Sequence, residues 1–176
     1  SGSLGYLCTY DSLICFNVQS GNILWSRPGN TFQMIPAVDE QNVYACVYGL
    51  PNSLLALDKM TGDTTWINHE LGVGNFFTLS VDNQYLYTGN VTTIAAVNKS
   101  TGDVEWSKEL ETTQFIAQNP GAFARTNDYL VIKYLENGID SNQYLVLNKN
   151  TGQEINRFTG AYFGYGAPTV INDYLA

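Results

Sequence analysis

Apolar positions in this chain come in short runs of β-branched and aromatic residues, punctuated at regular intervals by Asn, Asp and Gly. Val43–Val47, Tyr85–Thr88 and Tyr129–Lys133 are such runs, and the Asx-rich clusters Val38–Asn42, Val81–Gln84 and Thr126–Asp128 precede them. A further cluster, Ile171–Asp173, precedes Tyr174 and Leu175. Runs of this length bounded by turn formers predict strands, and no stretch of helical periodicity interrupts them. In one unit the predicted strands are Gln33–Val38, Val43–Val47, Ser53–Leu57 and Thr64–Ile67.

The pattern repeats. Cys15–Trp25 (CFNVQSGNILW), Ala56–Trp66 (ALDKMTGDTTW), Ala96–Trp106 (AVNKSTGDVEW) and Val146–Asn156 (VLNKNTGQEIN) align on Gly21, Gly62, Gly102 and Gly152, at spacings of 41, 40 and 50 residues. Trp25, Trp66 and Trp106 each lie four residues after the glycine, and the fourth copy has Asn156 there. Four short antiparallel strands per ~40-residue unit predict an all-β fold, a β-propeller of four-stranded blades. The units run approximately 1–26, 27–67, 68–107, 108–158 and a partial 159–176, as one propeller segment. The longer fourth unit is expected to carry its extra residues in connections, including the Tyr134–Asn142 excursion, with strands of unchanged length.

The repeated residues are structural by their chemistry. Asn17, Asp58, Asn98 and Asn148 are placed to accept backbone N–H bonds in a hairpin turn. The glycine after each supplies the left-handed backbone such a turn requires. A tryptophan on the following strand is too large to leave exposed, and its expected berth is the seam between neighbouring blades.

These residues resemble a family. A-x-D-x-x-T-G-x-x-x-W, matched without deviation at Ala56–Trp66 and with Asn98 for Asp at Ala96–Trp106, is similar to the tryptophan-docking motif of pyrroloquinoline-quinone-type propeller repeats. The resemblance covers about residues 4–175. The family includes quinoprotein dehydrogenases and non-catalytic propeller lipoproteins of bacterial outer-membrane assembly. It implies a periplasmic or cell-surface protein and a ring of seven or eight blades, of which about four are present here. The alternative is a four-bladed ring closed when Pro168–Ile171 completes the first blade. In the dehydrogenases, an adjacent-cysteine disulfide lies against the quinone, beside calcium and a catalytic Asp. No adjacent cysteines occur here, so the resemblance implies a scaffold with no cofactor ahead of a quinone enzyme.

Composition narrows the partners. Hydrophobic residues make up 44% and charged residues 14%, which suits a folded domain, and the net charge of −8 repels nucleic acid. No apolar run approaches the ~20 residues of a membrane-spanning helix, so this segment is not expected to insert. Cys8, Cys15 and Cys46 have no C-x-x-C spacing and only His69 for company, so no metal site is expected. The thiols read as small buried hydrophobes, with Cys8–Cys15 the pair to form any disulfide.

Candidate chemistry is sparse. His69 has no Ser or Cys nucleophile beside it in sequence, and Gly72-x-Gly74 precedes a strand where a phosphate loop needs a helix. Asp63, Asp103, Glu105, Glu109 and Glu111 fall in turns or after fourth strands, where a solvated surface is expected. The better candidates are the connectors from each fourth strand to the next blade. They concentrate aromatics, Phe76 and Phe77 and then Tyr162, Phe163 and Tyr165, with Arg27 at the first connector. Aromatics and Arg are the common anchors of interfaces, so a protein or peptide partner is expected there, besides additional blades or a second copy completing the ring.

Overall fold

Each repeat is organised by its turn. At Asp58, one carboxylate oxygen accepts the N–H groups of Met60 at 2.8 Å and Thr61 at 2.9 Å, and the Gly62 N–H returns to the Asp58 carbonyl at 2.8 Å. Closing the loop requires φ of +77° at Gly62, and Gly21, Gly102 and Gly152 adopt the same left-handed conformation. Asn17, Asn98 and Asn148 cap their own turns in the same way. The predicted hairpin chemistry is therefore present in all four copies.

The computed structural model describes residues 3–29, 35–49, 52–71, 78–90, 92–111, 114–116, 123–136, 143–160, 170–171 and 174–175. Among these there is no helix. The first sheet holds β1 (Leu4–Cys8), β2 (Ser12–Asn17) and β3 (Ile23–Pro28). The second holds β4 (Ala37–Val38), β5 (Asn42–Val47), β6 (Ser53–Asp58) and β7 (Thr64–Asn68). The third holds β8 (Thr78–Val81), β9 (Tyr85–Gly89), β10 (Thr93–Asn98) and β11 (Val104–Glu109). The fourth holds β12 (Gln114–Ile116), β13 (Phe123–Arg125), β14 (Tyr129–Glu136), β15 (Gln143–Asn148) and β16 (Glu154–Thr159). Last come β17 (Val170–Ile171) and β18 (Tyr174–Leu175), paired with each other. All pairings are antiparallel between consecutive strands, except that β12 and β13 both pair with β14.

Burial shows how the sheets stack. On the second sheet Val43, Ala45, Leu55 and Leu57 pack with Leu13, Tyr6 and Trp25 of the first, while Tyr44, Cys46, Leu54 and Ala56 pack with Leu86 and Val97 of the third. Alternate residues of one strand thus serve opposite seams, so the sheet is buried on both faces. A two-layer sandwich would leave one face wet. The third seam repeats the arrangement, with Tyr87, Ile94 and Ala96 against Leu130, Ile132 and Leu145. The fold is that of a partial β-propeller.

The tryptophans occupy these seams. A β-bulge before each one, between Ala56 and Leu57 in the second sheet, sets Trp66 opposite Ala56 and re-aims its ring. The small residue in the middle strand lets Tyr44 and Trp66 approach to 6.0 Å between ring centroids, as Tyr6 and Trp25 do across Cys15. Each indole then lies on the turn glycine of the next sheet: a Cβ at Gly62, Gly102 or Gly152 would come within 2.8, 2.7 or 2.6 Å of the ring of Trp25, Trp66 or Trp106.

Two expectations change. β14 is eight residues long against six in β5 and five in β9, so the fourth unit lengthens a strand as well as its connections. The extra backbone groups at 134–136 need partners, and β12 supplies them by pairing Gln114 with Glu136 and Ile116 with Tyr134. Of the Tyr134–Asn142 excursion, residues 134–136 are strand and 137–142 lie outside the described residues. Closure of a four-bladed ring would set β17 against β1, whereas β17 pairs with β18 through Val170–Leu175 and Ile171–Tyr174.

Candidate functional site

Antiparallel order places the β4–β5 and β8–β9 loops at the same end of the sheets as the glycine turns. Main-chain bonds join them there, with the N–H groups of Lys59, Lys99 and Lys149 donating to the carbonyls of Gln41, Gln84 and Asp128 at 3.0–3.1 Å. Between these loops and turns lies a cavity of about 860 Å³, lined among others by Asp39, Glu40, Lys59, Asp82, Lys99, Arg125 and Lys149.

Two carboxylates organise this end. One Asp39 oxygen accepts the N–H groups of Gln41 and Asn42, both at 2.8 Å, and the other accepts the Tyr44 hydroxyl at 3.0 Å and Lys99 Nζ at 2.8 Å. Asp82 repeats this with the N–H groups of Gln84 and Tyr85, the Tyr87 hydroxyl at 3.1 Å and Lys149 Nζ at 2.7 Å. Arg125 adds a second cation 3.6 Å from Asp82 and donates to the Val81 carbonyl at 3.1 Å. In both pairs the lysine comes from the next sheet, so each is a latch across a seam. In the fourth sheet Thr126 holds the corresponding place, its hydroxyl oxygen accepting the Tyr129 N–H at 2.8 Å.

The electrostatics follow from these contacts. Burial alone pushes the Asp39 carboxyl up, but the Lys99 ammonium, two backbone N–H groups and the Tyr44 hydroxyl outweigh it and hold it at about 2. At Asp82 burial is likewise outweighed by Lys149 and two backbone N–H groups, again to about 2. The Tyr44 and Tyr87 hydroxyls are pushed up by burial and by the adjacent carboxylates. Both aspartates are therefore anions with their lone pairs engaged.

The other candidate residues are scattered. Arg27 is half-buried on β3, opposite Leu13, toward the other end of the sheets. Phe76, Phe77, Tyr162, Phe163 and Tyr165 lie outside the described residues, as does Gly72-x-Gly74. Asp63, Asp103, Glu105, Glu109 and Glu111 are exposed. His69 does have a nucleophile type beside it: Ser53 Oγ lies 2.9 Å from its Nδ1, brought there because β6 and β7 are adjacent. Ser53 is buried and His69 exposed, and among the described residues no carboxylate orients the ring.

A quinone–calcium centre does not fit the described residues. Cys8, Cys15 and Cys46 are free and lie on three different strands. No group of three or more His, Cys, Asp or Glu converges among the described residues. The Asp39 and Asp82 oxygens are already committed to their own loops and to the lysines across the seam.

The latch residues escaped the sequence reading, which took the Asx clusters as turns. Lys59, Lys99 and Lys149 recur three residues before the glycine, in a chain with only five lysines, and that recurrence is the signal that marks them.

Comparison with known proteins places this architecture. Residues 3–148 match the family model described as outer membrane protein assembly factor BamB. The chain belongs to the BamB family. Among solved structures it is similar to BamB from Moraxella catarrhalis, at 16% identity and TM-score 0.65, over 99% of this chain and 66% of that one. It is similar to the computationally designed Ika8 protein, at 16% identity and TM-score 0.73, over 96% of this chain and 49% of that one. Quinohemoprotein alcohol dehydrogenase from Comamonas testosteroni matches at 12% identity and TM-score 0.70, over 98% of this chain and 35% of that one. At these identities the likeness is one of fold. The BamB-family chain spans 66% of the BamB structure and about half or less of the others. A search of curated protein sequences returns no match.

Proposed function

We propose that this chain is a rigid, non-catalytic propeller platform that holds protein segments during assembly of the bacterial cell envelope, in the periplasm or at the cell surface. The observation that carries the reading is the use to which the most perturbed acids are put. Asp39 and Asp82 each accept four hydrogen bonds, three from their own sheet and one from a lysine of the next, which makes the loop end stiff and leaves neither free as an acid or base. Family membership supports the same reading, since the family's description is that of an assembly factor. The connectors bearing Phe76, Phe77, Tyr162, Phe163 and Tyr165, with Arg27, form the proposed partner face.

The competing class is a quinone-dependent dehydrogenase, favoured only by the shared fold. Site-directed photocrosslinking at Arg27 and Tyr162 in envelope preparations separates the two. The platform reading expects one protein adduct at both positions, abolished by changing Tyr162, Phe163 and Tyr165 together. Stoichiometric quinone or calcium in the purified protein, without an adduct, overturns it.

A further inference from the structure

Positive charge is concentrated at one place on an acidic molecule. The chain carries eight Lys and Arg against sixteen Asp and Glu, yet four of the eight, Lys59, Lys99, Arg125 and Lys149, line the loop-end cavity. Among the described residues three carboxylates, on Asp39, Glu40 and Asp82, line it with them. The order of depth matters as much as the count. Side-chain exposure is 12% at Asp39 against 22% at Lys99, and 6% at Asp82 against 15% at Lys149 and 32% at Arg125. Within these pairs the cations therefore lie nearer the solvent than the aspartates, while Glu40 is exposed at the rim.

The hydrogen-bonding capacity is equally one-sided. Asp39 and Asp82 have filled their acceptor positions, whereas each lysine ammonium has three N–H donors and gives one to its aspartate. Lys59 Nζ donates to the main-chain carbonyl of Asp39 at 3.3 Å, and its charge also acts on the Asp58 carboxylate. The three ammonium groups come from the same turn position of successive sheets, and their main chains are pinned by indole N–H bonds to the Lys59, Lys99 and Lys149 carbonyls. The result is a rigid row of donors with the period of the blades. At about 860 Å³ the cavity is far larger than one carboxylate needs.

We propose that this cavity is a docking groove for an extended acidic segment of a protein partner, whose Asp and Glu carboxylates bridge Lys59, Lys99, Lys149 and Arg125 in succession. The inference rests on the platform reading and adds to it the chemistry of the partner and a second face, at the opposite end from Arg27. Recognition of this kind depends on charge and falls with salt, because screening lengths at physiological ionic strength are about 8 Å.

The test is fluorescence anisotropy of the full protein with labelled Glu-Thr, Gln-Thr and Lys-Thr repeat peptides of equal length. The Glu-Thr peptide is expected to bind, and the Lys59→Glu, Arg125→Glu double variant to weaken it about tenfold or more. Lys59→Gln serves as the milder variant, with tryptophan emission checking the fold. Equal binding of the Gln-Thr peptide, or an unchanged affinity in folded variants, overturns the groove. So does displacement by free glutamate at the same carboxylate concentration, which would mark a small-anion site. If the peptide fails to bind while Arg27 and Tyr162 adducts persist, the groove falls and the platform stands. Peptide binding without any Arg27 or Tyr162 adduct upholds the groove and removes the connector face as a partner site.

Discussion

The indole N–H of Trp66 donates to the carbonyl oxygen of Lys99 at 2.8 Å, and through this bond one sheet grips the turn of the next. Trp25 does the same to Lys59 at 3.1 Å and Trp106 to Lys149 at 2.9 Å. Trp66→Phe keeps most of the apolar contact and loses the bond, so it should cost about 1 kcal/mol. Trp66→Ala removes both and should cost about 3–5 kcal/mol. Urea unfolding of the two variants checks the ratio, and an undiminished stability in Trp66→Phe would mean the indole nitrogen is idle.

The turn glycines separate backbone strain from seam packing. At Gly21 (φ +73°) a Cβ would meet nothing within 4 Å, whereas at Gly102 (φ +84°) it would strike the Trp66 ring at 2.7 Å. Gly21→Ala should therefore cost about 1 kcal/mol, from the left-handed backbone alone. Gly102→Ala adds a collision and should cost about 2–4 kcal/mol. Matching denaturation midpoints for the two would show that the indole does not press on the turn.

Much of this was legible in the sequence because repetition turns weak local signals into strong ones. One Asp/Asn-x-x-Thr/Ser-Gly is a turn; four at blade spacing, three followed by Trp25, Trp66 and Trp106, specify a radial stack. The latches were less legible. Asp39 and Lys99 lie 60 residues apart in the chain, and Asp82 and Lys149 lie 67 apart. Neither distance appears as a motif, because the pairing exists only once two sheets stand side by side. The Ser53–His69 contact was hidden for the same reason, since it depends on which residues face each other across β6 and β7. Strand length in the fourth sheet was misjudged because β14 gains a second partner, β12, that aligned repeats do not reveal.

Thiol chemistry tests the seams without mutation. Burial pushes the Cys8 thiol up to about 12 and raises Cys15 and Cys46 as well. The thiolate is the reactive form, so in native protein at neutral pH iodoacetamide should label all three very slowly. Adding denaturant should release three rapid modifications, counted by intact mass. Prompt labelling of Cys46 in native buffer would mean that the seam between the second and third sheets opens readily.

The Asp82 latch should be stronger than its exposed neighbour. Lys149 Nζ sits 2.7 Å from the carboxylate and Arg125 3.6 Å away, with the arginine about twice as exposed. Lys149→Met leaves a buried anion short of its main partner and should cost about 1–3 kcal/mol. Arg125→Met should cost about 0–1 kcal/mol, as screened pairs do. A double-mutant cycle with Asp82→Asn assigns each coupling, and a larger coupling for Arg125 would reverse the assignment.

Acid stability carries the signature of both latches. Asp39 and Asp82 are lowered from 3.8 to about 2 in the folded chain, so the folded state binds fewer protons than the unfolded one between those values. Their contribution is fully present above about pH 4 and is lost as pH falls toward 2. Each is worth on the order of 2 kcal/mol in that window. Wild-type stability should thus drop steeply between pH 4 and 2, while Asp39→Asn, Asp82→Asn starts lower at pH 7 and declines less over the same interval. Chemical denaturation at stepped pH measures both slopes. Parallel curves for the two proteins would place the acid sensitivity elsewhere and strip the latches of their electrostatic role.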